Sequence, residues 1–270
     1  MANETPAQYE VIPFPRMRHL VIDILRTSHR KHMIHGLVEV DVTRARQYIR
    51  EREASTGEQL SFTAFVAICL GKAVDMNKYL HAMRNWRGQL VLFDEVDVNT
   101  MIEVEIEGHK IPMAHIFRAV NKRPYQDINA EIQTAQAVGG QSEVGTFLLK
   151  FASLPRFMRA PFYWLRNRSP HTSKEYAGTV LLTAVGMFGE GGGWGIPLAP
   201  FTLNVTLGGI AEKPGVVDGR IEIREYLSLT VSFDHDIIDG APAARFTECF
   251  KDLIENAYGL TEQYVAAGEA

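Results

Sequence analysis

The segment that most constrains the fold of this chain is REYLSLTVSFDHDIIDGAPAARF, residues 224–246. Its first half alternates apolar and polar residues with the two-residue period of a β-strand. The alternation places His235 on the apolar face, and Asp239 and Gly240 follow where the strand gives way to a helix. Pro242 falls in the first turn of that helix, a position that proline tolerates. The segment therefore predicts a strand that leads through a histidine into a C-terminal helix.

The alternation also predicts a buried imidazole at His235. Burial disfavours the charged form, so such a ring is neutral and able to accept a proton. The short pattern leaves a purely structural histidine open as the alternative, with Asp239 serving only as the helix N-cap. That alternative accounts for the aspartate and the glycine but not for a buried histidine.

The rest of the chain predicts a single α+β domain, because helical and strand-like segments mix without strict alternation. We expect an extended arm over residues 1–15, the domain over 16–260 and a tail over 261–270. Predicted helices are 16–31, 44–54, 60–80 with Ser61 as its N-cap, 125–137 and 244–260. Predicted strands are 36–42, two or three antiparallel strands within 88–119 with a turn at 107 and 108, and 178–185, 201–210 and 220–233.

Composition excludes several classes of protein. The chain has 270 residues, 46% of them hydrophobic, and its net charge of −4 provides no broad cationic surface for nucleic acid. Two isolated cysteines, Cys69 and Cys249, indicate neither a disulfide framework nor a zinc cluster and fit a reducing cytoplasm. Neither a signal peptide nor an apolar run long enough to span a membrane is recognisable, so we expect a cytoplasmic protein.

Several segments together resemble the catalytic domain of the dihydrolipoyl acyltransferases of 2-oxo acid dehydrogenase complexes. SLTVSFDHDIIDGAPAARF resembles the active-site segment of that family and, more distantly, that of chloramphenicol acetyltransferase. The other matching segments are PRMRHLVIDIL, GLVEVDVTRAR, GTVLLTAVGMFG (178–189) and GGIAEKPGVVDGRIEIREYLSLT. The resemblance covers most of residues 16–258. It implies a chloramphenicol acetyltransferase-like mixed β-sheet with flanking helices, assembled as a homotrimer.

The resemblance also implies a catalytic pair. In the family, the motif histidine takes the proton from the thiol of coenzyme A or dihydrolipoamide, and His235 matches it. A Ser or Thr hydroxyl of the neighbouring subunit stabilises the oxyanion, and Thr183 is the aligned residue; the alternative is an ordinary strand threonine. Coenzyme A is thus implied as a substrate, and no metal is implied.

Asp239, followed by Gly240, matches the motif aspartate that pairs in these folds with an arginine near the N-terminus and holds the site together. Arg18 is the best match for that partner, and Arg16 is the competitor. The alternative for Arg18 is a solvated helix residue.

Departures from the family pattern leave a second function open. The matching region begins about 15 residues from the start, so we expect no lipoyl domain and look to a partner protein for any lipoyl arm. Asp236 replaces the arginine that usually follows the histidine, and Ala184 replaces the asparagine that usually follows the oxyanion hydroxyl. Acidic neighbours favour a protonated His235 and oppose the effect of burial. The alternative is a catalytically inactive trimeric scaffold or assembly subunit.

Residues 147–174 form a basic, aromatic insertion with no acidic residue between Glu143 and Glu175. Pro155 and Pro161 predict two short helices rather than one. We favour packing on the protein itself, with arginine stems covering apolar surface, over contact with an anionic membrane surface. The cations are Lys150, Arg156, Arg159, Arg166, Arg168 and Lys174.

Two further patterns carry little functional weight. The glycine-rich GEGGGWG, residues 189–195, lacks dinucleotide-binding spacing and predicts a flexible loop with Trp194 as an anchor. The series His29, His32 and His35 straddles the predicted end of a helix, so three converging metal ligands are geometrically awkward.

Overall fold

A computed structural model describes residues 9–16, 18–106, 109–138, 151–185, 191–198 and 200–260. The helices are α1 (Arg18–Ser28), α2 (Thr43–Thr56), α3 (Phe62–Asp75), α4 (Tyr125–Val138), α5 (Arg156–Arg168), α6 (Pro170–Ala177) and α7 (Gly240–Glu255). The strands are β1 (Met33–Asp41), β2 (Met83–Arg84), β3 (Leu90–Val91), β4 (Val98–Ile106), β5 (His109–Phe117), β6 (Val180–Ala184), β7 (Leu203–Val217) and β8 (Arg220–Asp234). Short 3-10 turns span Lys78–His81 and Val120–Lys122.

The central structure is a mixed sheet with the strand order β1-β8-β7-β6-β4-β5. Strand β6 runs parallel to both of its neighbours, β4 and β7, whereas the other neighbouring strands are antiparallel. Strands β2 and β3 form a separate two-stranded ribbon. The predicted α+β mixed sheet with flanking helices is therefore confirmed.

Helix α3 is buried in the hydrophobic core and contacts both α4 and α7. The Ser61 hydroxyl accepts a hydrogen bond from the Ala64 amide at 3.2 Å, as the predicted N-cap requires. The C-terminal helix α7 turns Phe246 and Phe250 into the same core, with Phe246 edge-on to Phe233 of β8. Strand β8, which precedes the His235 motif in the chain, and helix α7, which follows it, therefore pack against each other.

Strand β8 is buried on both faces over its second half. The polar residues Ser228, Thr230, Ser232 and Asp234 are 0–3% exposed, as are the apolar residues between them. The alternation in the sequence therefore separates a polar buried face from an apolar buried face, and not an exposed face from a buried one.

The glycine-rich stretch lies against the sheet where two chain segments approach closely. The Gly209 amide donates to the Gly193 carbonyl at 2.9 Å, and the Gly193 amide donates to the Ser228 hydroxyl at 3.1 Å. A Cβ atom on Gly208 would lie 1.9 Å from the Gly193 oxygen, so a side chain does not fit there. Trp194, which is 43% exposed, donates from Nε1 to the Val38 carbonyl at 3.3 Å, and its role as an anchor stays a prediction. The preceding residues 186–190 lie outside the described part.

The basic insertion is attached to the domain through two of its cations. Arg159 is buried and donates from Nε to Asp23 of α1 at 2.8 Å, and from Nη1 to two backbone carbonyls. Lys174 of α6 pairs at 2.8 Å with Asp97, a fully buried carboxylate that also accepts from Arg118 at 2.8 Å. Burial opposes ionisation of Asp97, but the hydrogen bonds from Lys174, the Ala119 amide and Arg118 lower its pKa.

The prediction that Pro161 interrupts the helix is wrong, because α5 runs continuously from Arg156 to Arg168. Pro155 does precede the first residue of α5, and a second helix, α6, begins at Pro170. Proline removes one hydrogen bond within the helix. Pro161 lies on the exposed side of α5, where water is available to the carbonyl group that loses its partner.

The predicted turn at 107 and 108 and the tail over 261–270 lie outside the described residues, and the domain boundaries stay predictions. Residues 9–15 carry no regular secondary structure. None of the helices in the described ranges has the length and apolar character needed to cross a bilayer.

Candidate active site

His235 occupies the first position after β8, where the chain turns toward α7. Its amide donates to the His32 carbonyl at 2.7 Å, and the preceding Asp234 amide donates to the Thr202 carbonyl at 2.9 Å. Asp239 is the N-cap residue of α7, four positions later. The backbone of the motif is therefore held by the residues that follow α1 and by those that precede β7.

The two acidic neighbours of His235 are each engaged by a cationic or ionisable side chain that follows α1. Asp234, which is buried, forms an ion pair with Lys31, and Asp236 accepts from Nδ1 of His32 at 2.9 Å. The hydrogen bond between His32 and Asp236 raises the pKa of His32 and lowers that of Asp236. Asp236, the departure from the family pattern, is thus a partner of His32.

The prediction of a buried imidazole at His235 is wrong for the single chain, since 45% of the side chain is exposed. Strand β8 ends at Asp234, so the strand period stops one residue before the histidine. The imidazole therefore lies past the end of β8 rather than on the packed face of the sheet.

Asp239 approaches the imidazole rather than an arginine. Its Oδ1 lies 4.0 Å from Nδ1 of His235, its side chain is 86% exposed, and it makes no capping hydrogen bond to α7. The predicted Arg18–Asp239 pair is not formed within the described residues, and Arg16 instead donates to the Ser153 hydroxyl at 3.2 Å. Lys31 and His32, which follow α1, reach the motif, whereas Arg18 is the first residue of α1. Gly240 is the first residue of α7.

A cleft of about 470 Å³ lies beside the motif, between β1 and α7. Phe233 and Gly240, which flank the turn that carries His235, both line it. His35 on β1 also lines the cleft, and its Nδ1 lies 2.7 Å from the Ser232 hydroxyl. The cleft runs along β1, an edge strand of the sheet, and His235 is not among the residues that line it.

Thr183 lies on β6, two strands away from β8. The register aligns it with Thr206 of β7 and, through Thr206, with Thr230 of β8, so all three side chains share one face of the sheet. With strands about 4.8 Å apart and a rise of about 3.3 Å per residue, Thr183 is about 19 Å from His235. One chain therefore does not bring the two residues together.

Sequence reasoning missed the buried hydroxyl groups beside Thr183. The Thr206 and Thr230 Oγ1 atoms are buried and have no hydrogen-bond partner among the described residues. Buried polar groups in proteins are nearly always hydrogen-bonded, so these two stand out. The threonines of the alternating pattern were visible in the sequence, but only the strand register aligns them with Thr183.

Sequence reasoning also missed Lys31 and undervalued His32, which hold the flanks of the motif. Nothing local signals these contacts, because about 200 residues separate the partners. In the described ranges, no group of three or more His, Cys, Asp or Glu side chains is arranged to hold a metal ion.

The fold defines a structural class, that of the chloramphenicol acetyltransferase-like domains. A probable dihydrolipoamide acetyltransferase from Listeria monocytogenes superposes with a TM-score of 0.69 at 18% identity, covering 93% of this chain and 96% of that one. Chloramphenicol acetyltransferase itself superposes with a TM-score of 0.51 at 13% identity, over 91% and 95% of the two chains. At these identities the superpositions establish the fold.

Within that class, residues 166–261 match the family model of the 2-oxoacid dehydrogenases acyltransferase (catalytic domain). The acetyltransferase component of the Zymomonas mobilis pyruvate dehydrogenase complex is 36% identical over 91 residues, 33% of this chain and 21% of that protein. The lipoamide acyltransferase component of the Pseudomonas putida branched-chain alpha-keto acid dehydrogenase complex is 28% identical over 114 residues, 42% and 26% of the two chains. The resemblance is confirmed, although the chain spans only about a quarter or less of these curated relatives.

Proposed function

We propose that this chain is an acyltransferase that moves an acyl group between coenzyme A and a second thiol of the dihydrolipoyl type. The observation that carries the proposal is the placement of His235: an exposed imidazole on a backbone fixed by His32, in the segment that matches the acyltransferase family. Acyl groups arrive as coenzyme A thioesters or on the lipoyl arm of a partner protein.

His235 acts as the general base. Oδ1 of Asp239 lies 4.0 Å from Nδ1 of His235, beyond hydrogen-bond length but close enough for electrostatic attraction, and we assign Nε2 to the thiol. A free thiol titrates near about 8.5, so a neutral imidazole that removes the proton speeds attack by about 100- to 10,000-fold. The new thiolate attacks the thioester carbonyl carbon. Collapse of the tetrahedral intermediate then breaks the old carbon–sulfur bond, and the departing thiolate takes the proton back from the imidazolium ion.

The Thr183 hydroxyl of a neighbouring subunit donates a hydrogen bond to the oxyanion of that intermediate. The separation of about 19 Å within one chain supports a site shared between two copies. Exposed apolar residues on the β7–β8 hairpin, including Val216, Ile221 and Ile223, support extensive contact between copies of the chain. We infer a homotrimer, with the oxyanion hydroxyl worth about 100- to 1,000-fold in rate.

An inactive scaffold is the second candidate, because Asp236 and Ala184 depart from the family pattern. The pairing of Asp236 with His32 weighs against it, since the acidic side chain is directed to another partner and His235 keeps its position.

The cysteines of the described residues, Cys69 and Cys249, are free thiols, which supports the reducing cytoplasm as the compartment.

Formation of free coenzyme A and acetyl-dihydrolipoamide from acetyl coenzyme A and dihydrolipoamide, separated by chromatography, tests the proposal. We expect turnover by the unmodified protein and a loss of at least about 100-fold in His235→Ala, with His29→Ala, a change at an exposed histidine, as the matched control. Absence of both transfer and coenzyme A binding at high protein concentration would replace the enzyme with the scaffold.

A further inference from the structure

Helix α5 turns its apolar side away from the protein. Phe157, Trp164 and Leu165 are 75%, 58% and 60% exposed, whereas Arg159 on the opposite side is only 5% exposed. Helices on protein surfaces ordinarily bury the apolar stripe and expose the charges. The expected packing of the insertion on the protein itself, with arginine stems covering apolar surface, holds for the buried Arg159, whereas the apolar side of α5 is left exposed.

The buried Arg159 fixes this inverted orientation. Its Nε bonds to Asp23 at 2.8 Å, and its Nη1 bonds to the Ala152 and Leu154 carbonyls at 2.9 and 2.7 Å. Rotating α5 to cover its aromatic side chains would break all three contacts. The Arg159 charge would then be buried without a partner, which is costly. The apolar side is thus held outward by the structure.

The charges around the exposed face are positive. Arg156 and Arg168 are exposed on α5, and the Arg168 guanidinium lies 4.4 Å from the centre of the Trp164 ring. No acidic residue occurs between Glu143 and Glu175, although the chain as a whole carries a net charge of −4. The face therefore combines apolar anchors with cations, Arg156 and Arg168, that form no ion pair within the described residues, and α5 itself has no acidic residue.

We propose that α5 binds in the surface of an anionic lipid bilayer. At 13 residues the helix is about 20 Å long, too short to span the hydrocarbon core but suited to lie in the plane of the interface. Phe157, Trp164 and Leu165 enter the boundary between headgroups and acyl chains, where tryptophan is favoured. Arg156 and Arg168 meet the lipid phosphates.

Vesicle flotation at low salt tests this proposal without requiring turnover, so its outcome is independent of the acyltransfer assay. The full chain is mixed with vesicles of phosphatidylcholine alone or of phosphatidylcholine with phosphatidylglycerol. We expect flotation with the anionic vesicles and loss of it as salt is raised. Arg156→Gln with Arg168→Gln should weaken binding by about fivefold per arginine, and Trp164→Ser with Leu165→Ser by at least about tenfold.

Trp86 provides a matched control, because it is also exposed and carries a neighbouring guanidinium, that of Arg87, 4.8 Å from its ring. Trp86→Ser should float like the unmodified protein. Failure to float with anionic vesicles, or flotation that both α5 variants leave unchanged, would overturn the proposal. A change in subunit number in Trp164→Ser with Leu165→Ser, measured by light scattering, would also overturn it, because the face would then be a contact between copies.

Discussion

At the residue scale, the position of His235 depends on the two residues that follow the turn after α1. The His32 carbonyl holds the amide of His235, and Lys31 neutralises the buried carboxylate of Asp234 directly before it. Removing one partner of a buried ion pair leaves an uncompensated charge, which costs much more than removing an exposed partner. Lys31 therefore supports both the fold and the geometry of the motif.

Lys31→Met should lower the free energy of unfolding by about 3 kcal/mol, because Asp234 is 4% exposed and loses its counter-ion. The matched control is Lys78→Met, whose partner Asp94 lies 2.5 Å away but is 81% exposed, and we expect less than about 1 kcal/mol there. Urea unfolding at neutral pH measures both. Equal effects of the two substitutions would contradict the role given to Lys31.

At the scale of elements, His81 connects a short turn to the start of β6. The ring is fully buried in the 3-10 turn Lys78–His81; its Nε2 donates to the Phe93 carbonyl at 3.1 Å, and its Nδ1 lies 3.1 Å from the Thr179 hydroxyl. Burial lowers the pKa of His81 to about 4 from its ordinary 6.5. The ring is therefore uncharged at neutral pH.

This pKa predicts acid sensitivity over a defined range. Between about pH 6.5 and about 4 the unfolded chain takes up a proton at His81 that the folded chain does not, so stability falls as the pH falls through this range. The full shift corresponds to about 3 kcal/mol. Urea unfolding across this range should show a flatter pH profile for His81→Gln than for the exposed-site control His29→Gln. Parallel profiles for the two variants would contradict the prediction.

The elements that the sequence predicted correctly are those set by local pattern. Strand β8, helix α7 and the Ser61 cap of α3 follow from alternation, helical spacing and capping chemistry within a few residues. The exposure of His235 depends instead on the residue at which β8 ends. The contact of the motif with Lys31, rather than with Arg18, joins residues that are 203 positions apart, Lys31 and Asp234. The hydrophobic period of a segment does not report contacts between residues that lie so far apart in the chain.

Helix α5 shows the same limit for orientation. Surface helices ordinarily turn their apolar side inward, whereas the sequence predicted only packing on the protein with arginine stems covering apolar surface. One buried pair, Arg159 with Asp23, 136 residues away, reverses that orientation. Local sequence predicted a helical insertion but not which side of it faces the solvent.

At the scale of the whole molecule, the candidate site is incomplete in one chain. His235 lies at one end of β8, and Thr183 lies about 19 Å away on the same sheet, so the proposed pair requires residues from two copies of the chain. A closed ring of identical subunits repeats such a contact at every interface. The central claim is therefore an acyltransferase site built from two copies.

Complementation between two inactive variants tests this claim most directly. His235→Ala and Thr183→Ala should each retain at most about 1% of the thiol-transfer rate. When the two are co-expressed, about one interface in four combines an intact His235 with an intact Thr183, so activity should rise to about a quarter of the unmodified rate. Co-expressed variants that are no more active than the two separate proteins would contradict a site shared between subunits.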